Sequence, residues 1–491
     1  MAAGTAAPRK RRREPMSRVD TAWLRMERPT NPMMITGVLM FSERMPLARL
    51  RKTVARRFVG AYPRFRCRAV ETAAGAVWQD DEHFDLDWHV PLAALAAKGA
   101  TPGSEKRALE KFVSQLASSP LDKNRPLWQF HLIERYQGGS ALVVRIHHSY
   151  ADGIALIQVL LSLTDTSREG SGSKALAKAW LKEDGAAVAR RVGAVERYTK
   201  LGGKMLGKGV EMMQDPTLAG MLAREGGEIA RELMMALALP DDPPSMLRGR
   251  LGVSKRVAWA PPLDLDEVKA VGRACGCTVN DVLMAAAAGA LRNYMIERGE
   301  DVTGMTLRAT VPVNLRPLEH AAKLGNHFGL VFLDLPVGEP NPIRRLEHVA
   351  ECMNQLKQSR QAIVAFGLLA ALGMAPAPAQ EVALELFSRK ATAVATNVPG
   401  PQQQLFLAGC PINELMFWVP QTGSIGLGIS ILSYNNRVHF GLIADGRLIP
   451  DPDAVIRRFG PEFEKLLFLA LMSNWDREFD SVDAELLMDE S

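Results

Sequence analysis

One stretch constrains the fold more than any other: Trp128 to Thr166 reads as strand, turn, strand and helix in close succession. Trp128–Arg135 has a strand pattern, Gln137-Gly138-Gly139-Ser140 supplies turn residues, and Ala141–His148 returns alongside. A helix then starts after Asp152, with Ile154, Leu156, Ile157, Leu160 and Leu161 at helical spacing, and closes near Thr166. Strand and helix patterns are mixed in the same way through the rest of the chain. That places it in the α/β class as a two-layer protein with its working site between two lobes.

At 491 residues the chain is too long for one core, and lobes of roughly 150–220 residues are the natural division. Residues 1–16 read as a basic disordered tail, 17–166 as a first lobe, 167–252 as a helical connector, 253–475 as a second lobe and 476–491 as a C-terminal tail. In the first lobe Met33–Phe41 reads as a buried strand. Short strands are expected near Phe65–Val70, Ala76–Gln79 and Leu86–Val90, with a helix over Glu105–Leu116. The connector's methionines (Met205, Met212, Met213, Met221, Met234, Met235) suit either a compliant lipid-contacting surface or ordinary helix packing. In the second lobe Thr278 and Asp281 have capping-box spacing ahead of a helix over Val279–Arg298. Strands are expected at Thr306–Val313, Phe328–Leu335, Thr392–Asn397, Glu414–Val419, Ile425–Tyr434 and Arg437–Ala444, with a helical zone over Ile343–Ser388 and a last helix over Asp453–Ser473. Asn435-Asn436 suits a tight primed turn.

Net charge is +6, but Arg9-Lys10-Arg11-Arg12-Arg13 supplies five of these positives and leaves the remainder near +1. The basicity belongs to the tail. Such a run either attracts anionic lipid head groups, at about 1 kcal/mol per residue near a surface, or serves as an unstructured solubilising extension. A nucleic-acid partner is not expected, because no basic face interleaved with aromatics follows. Cys67, Cys275, Cys277, Cys352 and Cys410 are scattered without a C-x-x-C, which argues against a disulfide framework and a structural zinc site. No apolar leader follows Met1, and Pro376 and Pro378 cut the charge-free stretch Ala362–Ala379 below the ~20 residues of a membrane span. The chain reads as cytoplasmic, with any contact to the inner membrane or a lipid droplet peripheral.

Alternation along Ala141–His148 puts Leu142, Val144, Ile146 and His148 on one face, and Val143, Arg145 and His147 on the other. The adjacent histidines therefore cannot share one task. Imidazole, with an ordinary pKa near ~6.5, suits removal of a hydroxyl proton at neutral pH. A positioned general base contributes about 10²–10⁴-fold. Asp152 is placed to N-cap the helix that follows. Because a thioester is already activated, an alcohol held by such a base attacks it without a covalent enzyme intermediate.

His147-His148-Ser149-Tyr150-Ala151-Asp152-Gly153 resembles the HHxxxDG signature of the coenzyme-A-dependent acyltransferase superfamily, which includes chloramphenicol acetyltransferase and peptide-synthetase condensation domains. Pro126-Leu127-Trp128, Asn280-Asp281 and Asn397-Val398-Pro399-Gly400-Pro401 resemble three further elements of the bacterial wax ester synthase/diacylglycerol acyltransferase family, in order, within a likeness from about Ser17 to Trp475. The resemblance implies a two-lobed chloramphenicol-acetyltransferase-like architecture with an interface tunnel. It also implies transfer of a long-chain acyl group from acyl-CoA, as substrate, to diacylglycerol or a fatty alcohol, with no metal or redox cofactor. His148 is implied as general base, His147 and Asp152 as supports of the motif, and Gly153 as the space for the tunnel. Asn280 and Asp281 would line or brace that tunnel, Trp128 would pack behind the hairpin, and Asn397–Pro401 would form a rigid crossover. Two rivals stay open: a condensation-type enzyme using carrier-protein thioesters, and a catalytically idle lipid-binding paralogue. Gly202–Lys208 matches a phosphate loop only without its Ser/Thr, and Thr422–Gly426 misses a nucleophile elbow at its first position.

Overall fold

Three sheets organise the computed structural model, which describes residues 13–72, 75–96, 101–170, 238–315, 324–359, 361, 362, 364, 365 and 377–472. The strands are β1 (Arg13–Pro15), β2 (Met34–Phe41), β3 (Cys67–Thr72), β4 (Gly75–Asp80), β5 (Leu92–Ala93), β6 (Trp128–Tyr136), β7 (Gly139–His147), β8 (Thr164–Asp165), β9 (Lys255–Trp259), β10 (Leu263–Asp264), β11 (Leu307–Asn314), β12 (Phe328–Leu335), β13 (Ala393–Pro399), β14 (Phe406–Leu407), β15 (Cys410–Trp418), β16 (Leu427–Tyr434) and β17 (Arg437–Asp445). The helices that matter here are α1 (Arg18–Arg25), α2 (Leu47–Thr53), α3 (Leu86–His89), α4 (Pro102–Ser118), α5 (Gly153–Leu163), α6 (Leu265–Ala274), α7 (Val279–Glu297), α8 (Pro342–Gln358), α9 (Ala377–Ser388) and α10 (Pro452–Met472). The first lobe's sheet runs β5-β6-β7-β2-β15-β14-β8. The second lobe's runs β10-β17-β16-β13-β11-β12 with β9 also on β17, and β1-β4-β3 form a small third sheet.

Local chemistry explains the elements that position the site. Gln137 and Gly138 both take positive φ (46° and 81°), as do Asn435 and Asn436 (50° and 56°), so both hairpins close through the primed geometry that matches strand twist. At the start of α7, the Thr278 hydroxyl accepts from Asp281 N while an Asp281 carboxylate oxygen accepts from Thr278 N, completing the expected capping box. Behind α7, a buried Arg345–Glu462 ion pair ties α8 to α10. The lobes are joined by polar contacts: Lys106 Nζ donates to Trp259 O at 2.7 Å, and buried Lys255 donates to Asn31 Oδ1 at 2.7 Å beside Asp445.

The structure departs from the sequence reading in three places. β15, which chain order assigned to the second lobe, lies in the first lobe's sheet, with Trp418 opposite Thr36. β2 is buried along its whole length, so both of its edges need hydrogen-bonded partners, and β15 supplies the second. Arg13–Pro15 is strand β1, not tail: it pairs with β4, and Glu14 meets Arg64 at 2.8 Å. Leu86–Val90 is helical over α3, because Asp85 accepts from Asp87 N and caps a turn. Within the expected helical zone from Ile343, the described residues include α8 and α9. The basic run Arg9–Arg12, the connector's methionines and residues 476–491 lie outside the described residues. Among those described, no single helix is long and apolar enough to cross a membrane.

Candidate active site

The strand β7 delivers His148 to the junction of the lobes. His147 N donates to Leu127 O (2.9 Å) and His148 N to Met33 O (2.7 Å), so both flanking strands fix the strand's end. The opposite-face expectation holds for the whole strand. Leu142, Val144 and Ile146 line an apolar slot, whereas Arg145 reaches the other way to donate to Leu116 O and Ser119 O.

His148 is buried, its ring stacked on Trp23 of α1 (centroids 4.2 Å apart, planes at 18°) and tilted against Phe328 of β12 at 5.6 Å. Burial pushes the imidazole pKa down to about 4, and the Asp152 carboxylate, the residue's own carbonyl and Asn326 pull it the other way. The ring is therefore neutral at pH 7, with a lone pair to accept a proton. Nδ1 is enclosed, which leaves Nε2 as the nitrogen able to meet a substrate.

Two empty spaces lie side by side here. A cavity of about 570 Å³ is bordered by His148, Trp23 and Phe328 from around the motif, by Asn280 and Leu283 of α7, and by Asn397 of β13. The apolar slot, about 120 Å³, runs beneath α5 past Leu156, Leu160 and Leu163. Gly153 and Val419 border both. A Cβ added at Gly153 would meet nothing within 4 Å, so this residue faces open space where the two linings adjoin.

The rest of the motif holds this arrangement. His147 is fully buried. Its Nδ1 accepts from Ser149 N at 3.1 Å, leaving the proton for Nε2, which faces Glu27 at 3.7 Å. Tyr150 donates to Cys67 O (2.7 Å) and accepts from Leu127 N (3.2 Å), anchoring the loop in the first lobe's core. Asp152 caps α5 through Ala155 N and, with its second oxygen, accepts from His327 N, both at 2.9 Å. Trp128 is a packing residue, buried with its indole donating to Phe65 O at 2.8 Å.

The tunnel pair divides. Asn280 borders the cavity, held by Asn397 Nδ2 at 2.7 Å. Asp281 is not among the residues bordering it; its carboxylate is turned to the Thr278 cap, so of the two expected roles, lining or bracing, its position fits bracing. The Asn397–Pro401 element does more than cross over. Asn397, Val398 and Pro399 border the cavity, while Gly400 and Pro401 border the slot.

Sequence reasoning missed Trp23, Asp20, Asn326 and Phe328. Asn326 Nδ2 donates both to Asp20 Oδ1 and to the carbonyl of His148, each at 2.8 Å, and Asn326 N makes a second bond to Asp20 Oδ1 at 3.0 Å. The adjoining Gly325, at φ 122°, bridges to Ala151, a backbone conformation that a side chain would strain. Burial raises the Asp20 carboxyl to about 6 against the pull of Asn326. One signal was present: Ser17-x-x-Asp20 has the spacing of a helix cap, and Asp20 N does donate to Ser17 Oγ. Nothing local linked it to a residue 306 positions away. Asn326→Ala is expected to lower kcat by about 10-fold or more, since a buried bond to a charged partner is worth about 1.5–3 kcal/mol, with little change in KM for the acyl donor. Steady-state kinetics on the purified variant checks this, and an unchanged kcat would remove Asn326 as a positioning residue.

A two-lobed α/β chain that carries an HHxxxDG histidine to an interface cavity has the architecture of the chloramphenicol-acetyltransferase-like acyltransferases. The chain belongs to the wax ester synthase/diacylglycerol acyltransferase family: that family's catalytic-domain model matches residues 16–283 and its C-terminal-domain model residues 324–467. It is thus an acyltransferase of the diacylglycerol O-acyltransferase/wax ester synthase type. A Mycobacterium tuberculosis protein named probable diacylglycerol O-acyltransferase tgs1 is 30% identical over 404 residues, covering 80% of this chain and 81% of that one. In fold, the chain is similar to the wax ester synthase/diacylglycerol acyltransferase of Marinobacter aquaeolei (TM-score 0.65, 24% identity, 93% of this chain and 100% of that one). It is also similar to the first condensation domain of the calcium-dependent antibiotic synthetase (TM-score 0.58, 17% identity, 95% and 98%).

Proposed function

We propose that this chain moves a long-chain acyl group from acyl-CoA to diacylglycerol, with a fatty alcohol as the competing acceptor, and that His148 is the general base. The observation that carries this reading is a neutral, buried imidazole bordering a cavity that shares Gly153 and Val419 with an almost wholly apolar slot. The acceptor hydroxyl gives its proton to His148 Nε2 as its oxygen attacks the thioester carbonyl. The tetrahedral intermediate then collapses, the C–S bond breaks, and the departing thiolate takes the proton back from the imidazolium. Ester and free coenzyme A leave, and the thioester's own activation makes a covalent enzyme intermediate unnecessary.

The acyl tail would occupy the slot. At about 120 Å³ it is close to the ~150 Å³ cavity that admits benzene, so a long chain enters as leucine side chains along α5 swing aside. The larger cavity, mostly apolar but with Asn280, Asn397 and Thr310 on its border, suits a glyceride head and the pantetheine arm. The basic run near the N-terminus would hold the chain against an anionic lipid surface that supplies the acceptor. Thiol release from palmitoyl-CoA is the test, measured with diacylglycerol and hexadecanol offered in competition. The reading requires acceptor-dependent release and triacylglycerol as the main product; release independent of either acceptor would reduce the chain to a hydrolase.

A further inference from the structure

A second cluster of reactive side chains lies where the end of β12 meets α8. Asp334 is the penultimate residue of β12, and His348 and Cys352 are one turn apart on α8, which places them on the same helical face. Among the described residues it is the one place where three such donors converge, with one oxygen, one nitrogen and one sulfur all within 4.8 Å of one another. His348 Nε2 stands 3.9 Å from Asp334 Oδ2.

We propose that Asp334, His348 and Cys352 bind a zinc-type divalent cation, with a solvent water as fourth ligand. Tetrahedral zinc at its usual bond lengths sets neighbouring donors about 3.4–3.8 Å apart. Closing from the present spacing takes shifts of about 1 Å, within reach of small side-chain rotations. The donor set selects the metal: imidazole and thiolate favour zinc or cobalt, whereas calcium and magnesium require oxygen ligands. Asp334 and His348 are about half exposed, so an ion and its water have a path in, while Cys352 packs partly against the second lobe's core and gives the site a fixed corner. On binding, the Cys352 thiol releases its proton to solvent as the sulfur–metal bond forms, with no change of oxidation state.

The position gives such an ion a consequence. α8 sends Met353 and Lys357 to the cavity, and β12 sends Phe328 and Leu330. Met353 Sδ also receives a long contact from Asn280 at 3.8 Å. A metal joining α8 to β12 therefore braces two elements that border the catalytic cavity, through residues that do not themselves line it. The pattern escapes a search for C-x-x-C because one ligand comes from a strand and the other two from a helix with His-x-x-x-Cys spacing.

The experiment uses the full chain, reduced and stripped with chelator, titrated with cobalt(II). One equivalent should bind with visible d–d bands and a near-ultraviolet thiolate-to-cobalt band, and zinc should displace it. Zinc should also raise Tm, because it binds the folded state. Cys352→Ser should lose the near-ultraviolet band, and His348→Ala and Asp334→Asn should each weaken cobalt binding at least tenfold and abolish the zinc-dependent rise in Tm. Should Cys352→Ser fail to fold, the two half-exposed positions carry the test. Absence of saturable one-to-one binding, or binding that persists unchanged in His348→Ala and Asp334→Asn, would overturn the site.

Discussion

His148→Ala is expected to lower kcat/KM for acyl transfer by about 10²–10⁴-fold, the range a positioned general base supplies. The residue's packing makes a control necessary, because its ring stacks on Trp23 and its removal opens space beside α1. His148→Gln keeps much of the volume and a hydrogen-bonding tip without a comparable base, so the same loss in both variants isolates the proton transfer from the packing. Both should keep the wild-type circular dichroism spectrum and bind acyl-CoA with similar affinity. The pH profile adds a second readout. A base must be neutral to accept a proton, and burial has moved the His148 pKa down to about 4, so the acid limb of kcat/KM from this group should lie near pH 4 and not near 6.5. Between those values, any fall in rate belongs to another group, and Asp20, raised to about 6 and bonded through Asn326 to the His148 carbonyl, is the one in position. Equal turnover in His148→Ala would end the base assignment.

How much of this was legible before the structure follows from the range of each interaction. The hairpin β6–β7, the cap at Asp152 and the Thr278–Asp281 box are written in residues within a few positions of each other, and local rules reach them. The opposed directions of His147 and His148 follow from the two-residue period of a strand. What lay beyond reach depends on partners hundreds of residues apart. β15 crosses into the first lobe because β2 has an open edge, which no local pattern in Cys410–Trp418 announces. Asn326 is unremarkable in sequence and becomes central only because the chain after Leu324 crosses to the motif and bridges at Ala151. Asp281 shows the converse: the family resemblance left open whether it lines or braces the tunnel, and its capping chemistry, visible in the sequence, describes what its carboxylate does.

Gly153→Leu is expected to separate long-chain from short-chain donors. Residue 153 is the first of α5, and the Asp152 cap ahead of it accepts from Ala155 N, a bond the substitution leaves in place. The space around a new Cβ is open, so the fold should tolerate the change, and leucine is the better helix former. The added side chain would project into the open space beside Gly153, which borders both the slot and the cavity; a tail passing from one to the other would meet it. A palmitoyl donor that must thread this point would lose its burial beyond it. At about 0.8 kcal/mol per methylene, four excluded methylenes correspond to about 3 kcal/mol, or some 10²-fold in kcat/KM. A butyryl donor, too short to need the slot, should fall far less. The measurement is kcat/KM across a series of acyl-CoA lengths for both proteins, with thermal melts alongside. Parallel loss at every chain length would mean that the substitution disturbs His148 instead of the passage. No loss at any length would mean that the acyl tail takes another route, and the slot beneath α5 would have to be reassigned.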